Sequence, residues 1–527
     1  MKRYQNIFFA AFLIISLFIR LLYIDNAAIP KTYSDSLRDY LIADHIISFG
    51  EVPLIGHSNF FLNNIGLRNS PIYYYLLAIF LIPYNNIFVL IVINVFLQLS
   101  TLVLIFLITK LFFGFRTAIM AAILFGFIPF VLSQSENIWQ PWVMQTVALF
   151  ALYLLSLAFL KKNYKFLIAA ISFLVLAISI HFSAASWLPL FILLSFLYLK
   201  LEKKKIVHYV GILATLILVA FIFHFPVLIY LLDKEFLADP RTIYPQSINN
   251  YFINIIHYFQ DLNLNTVIVL VLTLGLIGYL FLEKSKRWIT VVGLGFFLST
   301  ILSASFLQHP INIYGTRYIT LSFSIFAIIV SVIANFYFNK INNIILKFNH
   351  NNYQKINILR TTCWFLIFLF LLKIFSQDFS FLNNLKTSNN INGKYFLEEV
   401  VYSVESKVFD IKKKEKYDNP DFFHIISFTN KNTFSSKTEH RTLEDSWLLM
   451  PLEKNLNHKL TNLPKSSYFE QLNRDDYIFL VCYDRYVCNK SLDCTGDFLV
   501  ANANYFLVER IYSKPTISIF LLKKSSI

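Results

Sequence analysis

The sequence predicts a polytopic α-helical membrane protein of about 11 to 13 spans, with a C-terminal α/β soluble domain on the outer face. Three observations predict it. Of 527 residues, 57% are hydrophobic and only 15% charged, and the mean hydropathy is +0.58. A soluble globular chain needs far less apolar surface. Apolar runs of roughly 17 to 25 residues recur, the length that crosses a hydrocarbon core of about 30 Å. The formal net charge of +15 is concentrated in short segments between those runs. Positive-inside topology explains that pattern better than a nucleic-acid footprint, so the expected surroundings are a lipid bilayer and no nucleic acid.

Met1 to Ile24 has a basic start and an apolar centre, but ends in Tyr23-Ile24-Asp25-Asn26 with only Ala27-Ala28 as a weak cleavage site. It reads as a retained first span rather than a signal peptide. Basic clusters at Lys2/Arg3, Lys110/Arg116, Lys161/Lys162/Lys165, Lys200/Lys203/Lys204/Lys205, Lys284/Lys286/Arg287 and Lys340/Lys347 mark the cytoplasmic side. Residues 7–24 then run outward and 25–70 form an outer loop. The pairs 117–133/141–160, 166–180/182–199, 207–232/265–282 and 288–306/318–338 go out and back, and a last span near 358–376 exports the C-terminal part. Between the outer loop and Lys110 only one crossing is allowed. The segment 71–83, about 20 Å as a helix, is too short to be that crossing. It is expected to be half-inserted, with Tyr73-Tyr74-Tyr75 at headgroup level, before a full span over 87–109. The domains expected are therefore 1–376, in the membrane, and 377–527, outside it.

The outer face collects the unusual polar residues. Tyr33-Ser34-Asp35-Ser36-Leu37-Arg38-Asp39-Tyr40 follows the first span and leads to a turn at Gly50. If helical, it puts Asp35 and Asp39 on one face at i,i+4, with Arg38 one turn from Asp35. Such a pair of poles suits a reacting hydroxyl and an anion, and ionisable groups at a membrane boundary are expensive unless used. Asp35 is alternatively a helix N-cap, a role open to Ser34 too. His57, Arg68, Glu136-Asn137-Ile138-Trp139-Gln140-Pro141, His181, the 233–264 loop and His309 to Arg317 lie on the same side. The simpler reading of Glu136 is a cap or loop charge, of His181 a helix-end residue satisfied by a backbone carbonyl, and of Arg317 a snorkelling cation.

Beyond residue 377 the pattern becomes mixed, with Lys412-Lys413-Lys414-Glu415-Lys416 as a solvated run. Tyr477 to Tyr483, Tyr505 to Tyr512 and Thr516 to Leu522 read as strands, with Ser513-Lys514-Pro515 as the turn between the last two. Cys363 lies in the last span. Of the exported Cys482, Cys488 and Cys494, an oxidising compartment allows one disulfide and leaves one thiol. Their spacing is not a metal-knuckle pattern and no histidine is close, and no Gly-rich phosphate loop or HExxH pattern occurs. No cofactor is called for, and a divalent metal stays open.

The order of these elements resembles the membrane-embedded C-type (GT-C) glycosyltransferases that use polyprenyl-phosphate-linked sugars, among them the aminoarabinose transferases and protein O-mannosyltransferases. Those families begin a short outer helix with an acidic pair, place a glycine about sixteen positions on, and follow it with a Pro-Pro-Leu-Tyr-Tyr-Trp-like segment. Here Asp35 matches the first acid, Arg38-Asp39-Tyr40 the helix, Gly50 the glycine, and Ser70-Pro71-Ile72-Tyr73-Tyr74-Tyr75 the Pro-Tyr segment. Ser36 replaces the second acid, so a two-carboxylate mechanism needs Asp39 to compensate. Trp139-Gln140-Pro141, His181-Phe182-Ser183 and Tyr314-Gly315-Thr316-Arg317-Tyr318 look like later motifs of the same group, in the same order along residues 1–340.

The resemblance implies inverting transfer of a sugar from an undecaprenyl- or dolichyl-phosphate carrier to a lipid, glycan or protein acceptor, as in lipopolysaccharide or protein glycosylation. The setting it implies is the cell membrane, a bacterial inner membrane in view of the richness in Asn, Lys, Ile and Phe. Asp35, with Asp39 as alternative, is then the base, and Arg38, Arg68, Tyr74, Glu136, His181, Arg317 and Tyr318 contact substrate. A secondary transporter would carry midplane charges and inverted repeats, neither of which the sequence has. A lipid-linked glycan polymerase or ligase is expected to carry a large arginine-bearing outer loop and to lack the early acidic helix.

Overall fold

The protein is described here by a computed structural model covering residues 2–24, 34–50, 52–56, 70–128, 131–132, 135, 138–233, 266–284, 286–307, 320–348, 423–429, 461–462, 477–483, 505–514 and 517–524. The described helices are α1 (Lys2–Ile24), α2 (Ser34–Phe49), α3 (Ile72–Leu81), α4 (Ile87–Phe113), α5 (Phe115–Gly126), α6 (Gln140–Lys161), α7 (Tyr164–Ile180), α8 (Leu188–Leu201), α9 (Ile206–Asp233), α10 (Thr266–Leu282), α11 (Arg287–Leu307) and α12 (Thr320–Phe348). A 3-10 turn, Phe182–Trp187, leads into α8. The chain divides into two compact units, Met1–Asp25 with Ile42–Asn384, and Asn26–Leu41 with Leu385–Ile527. The division falls inside α2.

The first unit is a helical bundle. Among the described residues six stretches are long and apolar enough to cross a membrane: Tyr4–Leu21, Ile87–Phe113, Gln140–Lys161, Phe182–Leu201, Ile206–Ile229 and Thr320–Ile341. Shorter apolar helices, α3, α5 and α7 among them, accompany these, and the protein is a multi-pass membrane protein. Side-chain caps set several boundaries. The Asn86 side chain accepts from Phe88 N at 2.9 Å to open α4, and that of Asn163 accepts from Lys165 N at 2.9 Å to open α7. Gly114, at φ +82, makes the break between α4 and α5 that a residue with a Cβ would resist. Pro141 and Pro189 sit in the first turns of α6 and α8, where the missing N–H costs nothing. α6 packs on both α4 and α7, and α12 on α5 and α11, so that α4, α6 and α12 form the interior.

Three expectations for this unit change. The expected span 117–133 stops as a helix at Gly126, because Ile128 precedes Pro129 and a residue before proline is pushed out of the α region. The expected span 182–199 opens as the 3-10 turn before becoming α8. The rings of Tyr73 and Tyr74 do not form an exposed belt: their side chains are 1% and 2% exposed, since α3 packs against α4 and α7 and turns these rings into the bundle. The predicted span 358–376, Cys363 and the boundary at 377 lie outside the described residues.

In the second unit the described residues from 423 onward form one mixed five-stranded sheet, β1 (Phe423–Thr429), β2 (Thr461–Asn462), β3 (Tyr477–Tyr483), β4 (Tyr505–Lys514) and β5 (Ile517–Lys524), in the order β2-β1-β3-β5-β4. β1 runs parallel to β2 and β3, pairing Phe423 with Tyr477 through Thr429 with Tyr483, and β5 runs antiparallel to β3 and β4. Parallel neighbours require crossover connections rather than tight turns. Ser513 and Lys514, expected in the turn, are instead the end of β4, paired with Ser518 and Ile517. Register shifts between Leu507 and Glu509 and between Arg510 and Tyr512 mark bulges on β4, which lies at the sheet edge. Cys482 sits in β3 opposite Phe428 and Ser518, while Cys488 and Cys494 lie outside the described residues, as does the lysine run 412–416.

Candidate functional site

Helix α2 carries the acidic stretch. Its sixteen residues begin at Ser34, so Asp35, Arg38 and Asp39 are all helical and the two carboxylates are one turn apart. The side chains of Asp35 and Arg38 lie outside the described part; that of Asp39 is fully buried, as is Tyr40. The helix closes at Gly50, at φ +69, where glycine is the residue with free access to the left-handed region.

The end of α2 is tied to α3 and its flanks. Buried Asp44 accepts from Ser48 Oγ at 2.9 Å and from the amide of Asn85, which lies between α3 and α4. The Tyr75 hydroxyl donates to the Pro53 carbonyl at 2.5 Å, so α3 holds the chain that leaves Gly50. Ser70, just before α3, donates to the Phe223 carbonyl at 2.5 Å, beside the carbonyl that Pro226 leaves unbonded in α9.

Two sequence motifs meet in this unit. An open crevice of about 310 Å³ between α3, α4 and α6 is lined by Tyr73, Leu77 and Phe80 of the Pro-Tyr helix, by Asn94 of α4, and by Trp139 just before α6. Trp139 and Gln140 are 4% and 5% exposed, so the Trp-Gln-Pro segment is an interior helix start rather than a surface loop.

Behind that crevice lies a buried polar cluster that the sequence reading did not pick out. Arg20, near the end of α1, is fully buried; its guanidinium donates to Gln98 Oε1 at 3.0 Å, Ser16 Oγ at 2.7 Å and the Gly126 carbonyl at 3.1 Å. Ser135 Oγ donates to the same Gln98 Oε1 at 3.0 Å, and Asn94 Nδ2 to the Ser135 carbonyl at 3.0 Å. Arg20 thus fixes the end of α5, and Asn94 and Gln98 fix Ser135. The signal was present: Asn94, Gln98 and Thr101 fall at i,i+4,i+7 on α4, a polar stripe on an otherwise apolar span. Arg20 itself was absorbed into the end of the first span.

His181 does what its helix-end reading says. It ends α7, its Nδ1 accepts from Ser183 N at 3.4 Å, and it lies 2.8 Å from Ser183 Oγ, so the ring caps the 3-10 turn. Trp187 in that turn donates to Thr300 Oγ1 of α11 at 2.9 Å. Arg68, Glu136, Arg317 and Tyr318 lie outside the described residues. Among the described residues no three His, Cys, Asp or Glu side chains stand together as metal ligands.

No protein-family model matches the chain, and no curated protein matches it. Solved structures do. ArnT from Cupriavidus metallidurans, bound to undecaprenyl phosphate, superposes with a TM-score of 0.59 at 9% identity, covering 98% of both chains. Its apo state gives 0.59 at 10% identity over the same shares. An archaeal oligosaccharyltransferase, AglB from Archaeoglobus fulgidus in complex with an inhibitory peptide and a dolichol-phosphate, gives 0.49 at 13% identity, covering 91% of this chain and 70% of that one. From end to end the chain has the fold of ArnT.

Proposed function

We propose that the protein transfers a sugar from a polyprenyl-phosphate-linked donor to an acceptor on the extracytoplasmic face, with inversion. The observation that carries this reading is the helix beginning at Ser34, which gives a chain of this fold a carboxylate one residue into the first outer helix. The ArnT structure was determined with undecaprenyl phosphate, which supports a lipid phosphate as the donor's carrier. Asp35 takes the proton of the acceptor hydroxyl, the acceptor oxygen attacks the anomeric carbon, and the bond from that carbon to the carrier's phosphate oxygen breaks. Arg317, with Arg68 or Arg38, stabilises the charge that develops on the departing phosphate. The full burial of Asp39 favours Asp35 as the base, because a base must reach the acceptor. The sheet unit is placed outside the membrane in this reading, as an α/β domain.

The test is transfer of labelled sugar from a polyprenyl phosphate by purified wild type, Asp35→Asn and Asp39→Asn. Asn caps a helix about as well as Asp but has no basicity. Asp35→Asn is expected to lose roughly 10² to 10⁴-fold in rate while it stays folded and binds carrier. Near-normal turnover by that variant would sink the mechanism, and a loss confined to Asp39→Asn would move the base one turn along the helix.

A further inference from the structure

A second crevice lies at the other end of the bundle. It is an open, solvent-continuous crevice between α4, α6, α8, α11 and α12. Phe112, Phe159, Trp288, Phe296 and Ile329 make it apolar, and Trp288, 52% exposed, stands at its open side. Fifteen residues of α4 separate Asn94 in the outer crevice from Thr109 in this one, about 22 Å of helix, so the two lie in opposite halves of a bilayer.

Three hydroxyls face the space. Ser156 Oγ is satisfied by the Leu152 carbonyl at 2.8 Å, and Thr290 Oγ1 by the Tyr279 hydroxyl at 3.1 Å. The Thr109 hydroxyl is fully buried and has no hydrogen-bond partner among the described residues. A buried donor of that kind calls for an acceptor. Lys286 Nζ lies 5.6 Å from the ring centroid of Phe113, which also lines the space, while Lys110, next to Thr109 in sequence, has its Nζ over the Phe106 ring at 5.2 Å. A cation, a buried hydroxyl donor and hydrocarbon therefore come together at this crevice.

We propose that this crevice binds an anionic glycerophospholipid of the surrounding leaflet. An acyl chain lies between Phe159, Phe296 and Ile329, an ester carbonyl accepts from Thr109, and the phosphate meets Lys110 and Lys286. Basic pockets between spans are the membrane setting in which such headgroups are held. This is a site for a resident lipid, separate from donor and acceptor, and it stands whether or not Asp35 is the base.

The test is native mass spectrometry of the delipidated full chain in detergent, with dioleoylphosphatidylglycerol or dioleoylphosphatidylcholine added. Wild type is expected to retain the glycerol lipid roughly tenfold better or more, since each lysine near a lipid surface contributes about 1 kcal/mol. Lys110→Ala/Lys286→Ala should lower it to the choline-lipid level, Lys110→Arg/Lys286→Arg should restore it, and Gly293→Leu should exclude both lipids. Thr109→Val, which leaves the charges in place and changes volume little, should weaken retention on its own. Equal retention of the two lipids by wild type, or undiminished retention by Gly293→Leu, overturns the proposal. Displacement of phosphatidylglycerol by equimolar undecaprenyl phosphate would overturn it too, by giving the crevice to the carrier.

Discussion

Helices α9 and α12 read alike in sequence and have opposite surroundings. Ile206–Ile229 has a mean hydropathy of 2.7 with 11% of its residues buried, whereas Thr320–Ile341 has 2.1 with 67% buried. On α9 the side chains of Ile217, Leu218 and Phe221 are more than half exposed. On α12 the buried set includes Thr320, Ser322, Ser324 and Ser331, and Gln145 of α6 donates to the Thr320 carbonyl at 2.8 Å and to Ser324 Oγ at 2.6 Å. Lipid tails are as apolar as leucine, so nothing drives an apolar face inward; close approach at small residues and interhelical hydrogen bonds do. Hydropathy therefore identifies a span, and the small polar residues identify which spans face one another.

The comparison can be broken by substitution, beginning at its extreme. Arg20→Leu removes every guanidinium bond of the buried cluster and leaves Gln98 and the Gly126 carbonyl short of a donor, at a cost of about 3 kcal/mol. Reversible unfolding by a denaturing detergent should show it as the largest single loss in the bundle. A variant as stable as wild type would mean that the cluster holds nothing together. A smaller effect is expected for Gln145→Leu, about 1 to 2 kcal/mol for two interhelical bonds, read by the same titration; no change would take α12 off the list of polar-anchored helices. The smallest belongs to Leu218→Ala on α9, a change at a side chain 59% exposed, which should stay within about 0.5 kcal/mol. A loss above about 2 kcal/mol there would show a partner covering α9 and would erase the contrast with α12.

Spans were legible because length and polarity leave few alternatives: 87–109, 141–160 and 207–232 appear as α4, α6 and α9 within a few residues. The strand 477–483 appears as β3 with the same bounds, a short continuous apolar run rich in aromatic and β-branched residues and flanked by polar ones. What escaped was set by tertiary context. Nothing local in Tyr73-Tyr74-Tyr75 separates an interfacial belt from two rings turned into the bundle, and the 3-10 start of α8 depends on His181 capping Ser183. The acidic stretch is helical from Ser34, the condition on which the i,i+4 reading of Asp35 and Asp39 depended. Arg20 escaped because a cation four residues from a span end is ordinarily explained by snorkelling, and its acceptors are 78 and 106 positions away in sequence.

That distance in sequence orders the assembly of the molecule in time. An arginine within a span costs about 2.5 to 3.5 kcal/mol on insertion at a helix centre, less near an end, and α1 enters the bilayer before Gln98 or Gly126 has been synthesised. During that interval the guanidinium must reach for headgroups at the membrane surface. It can sink into the bundle only after α4 and α5 have followed, so α1 first serves as an anchor and later, once Arg20 finds the α5 carbonyl, as the piece that locks α4 and α5 to itself.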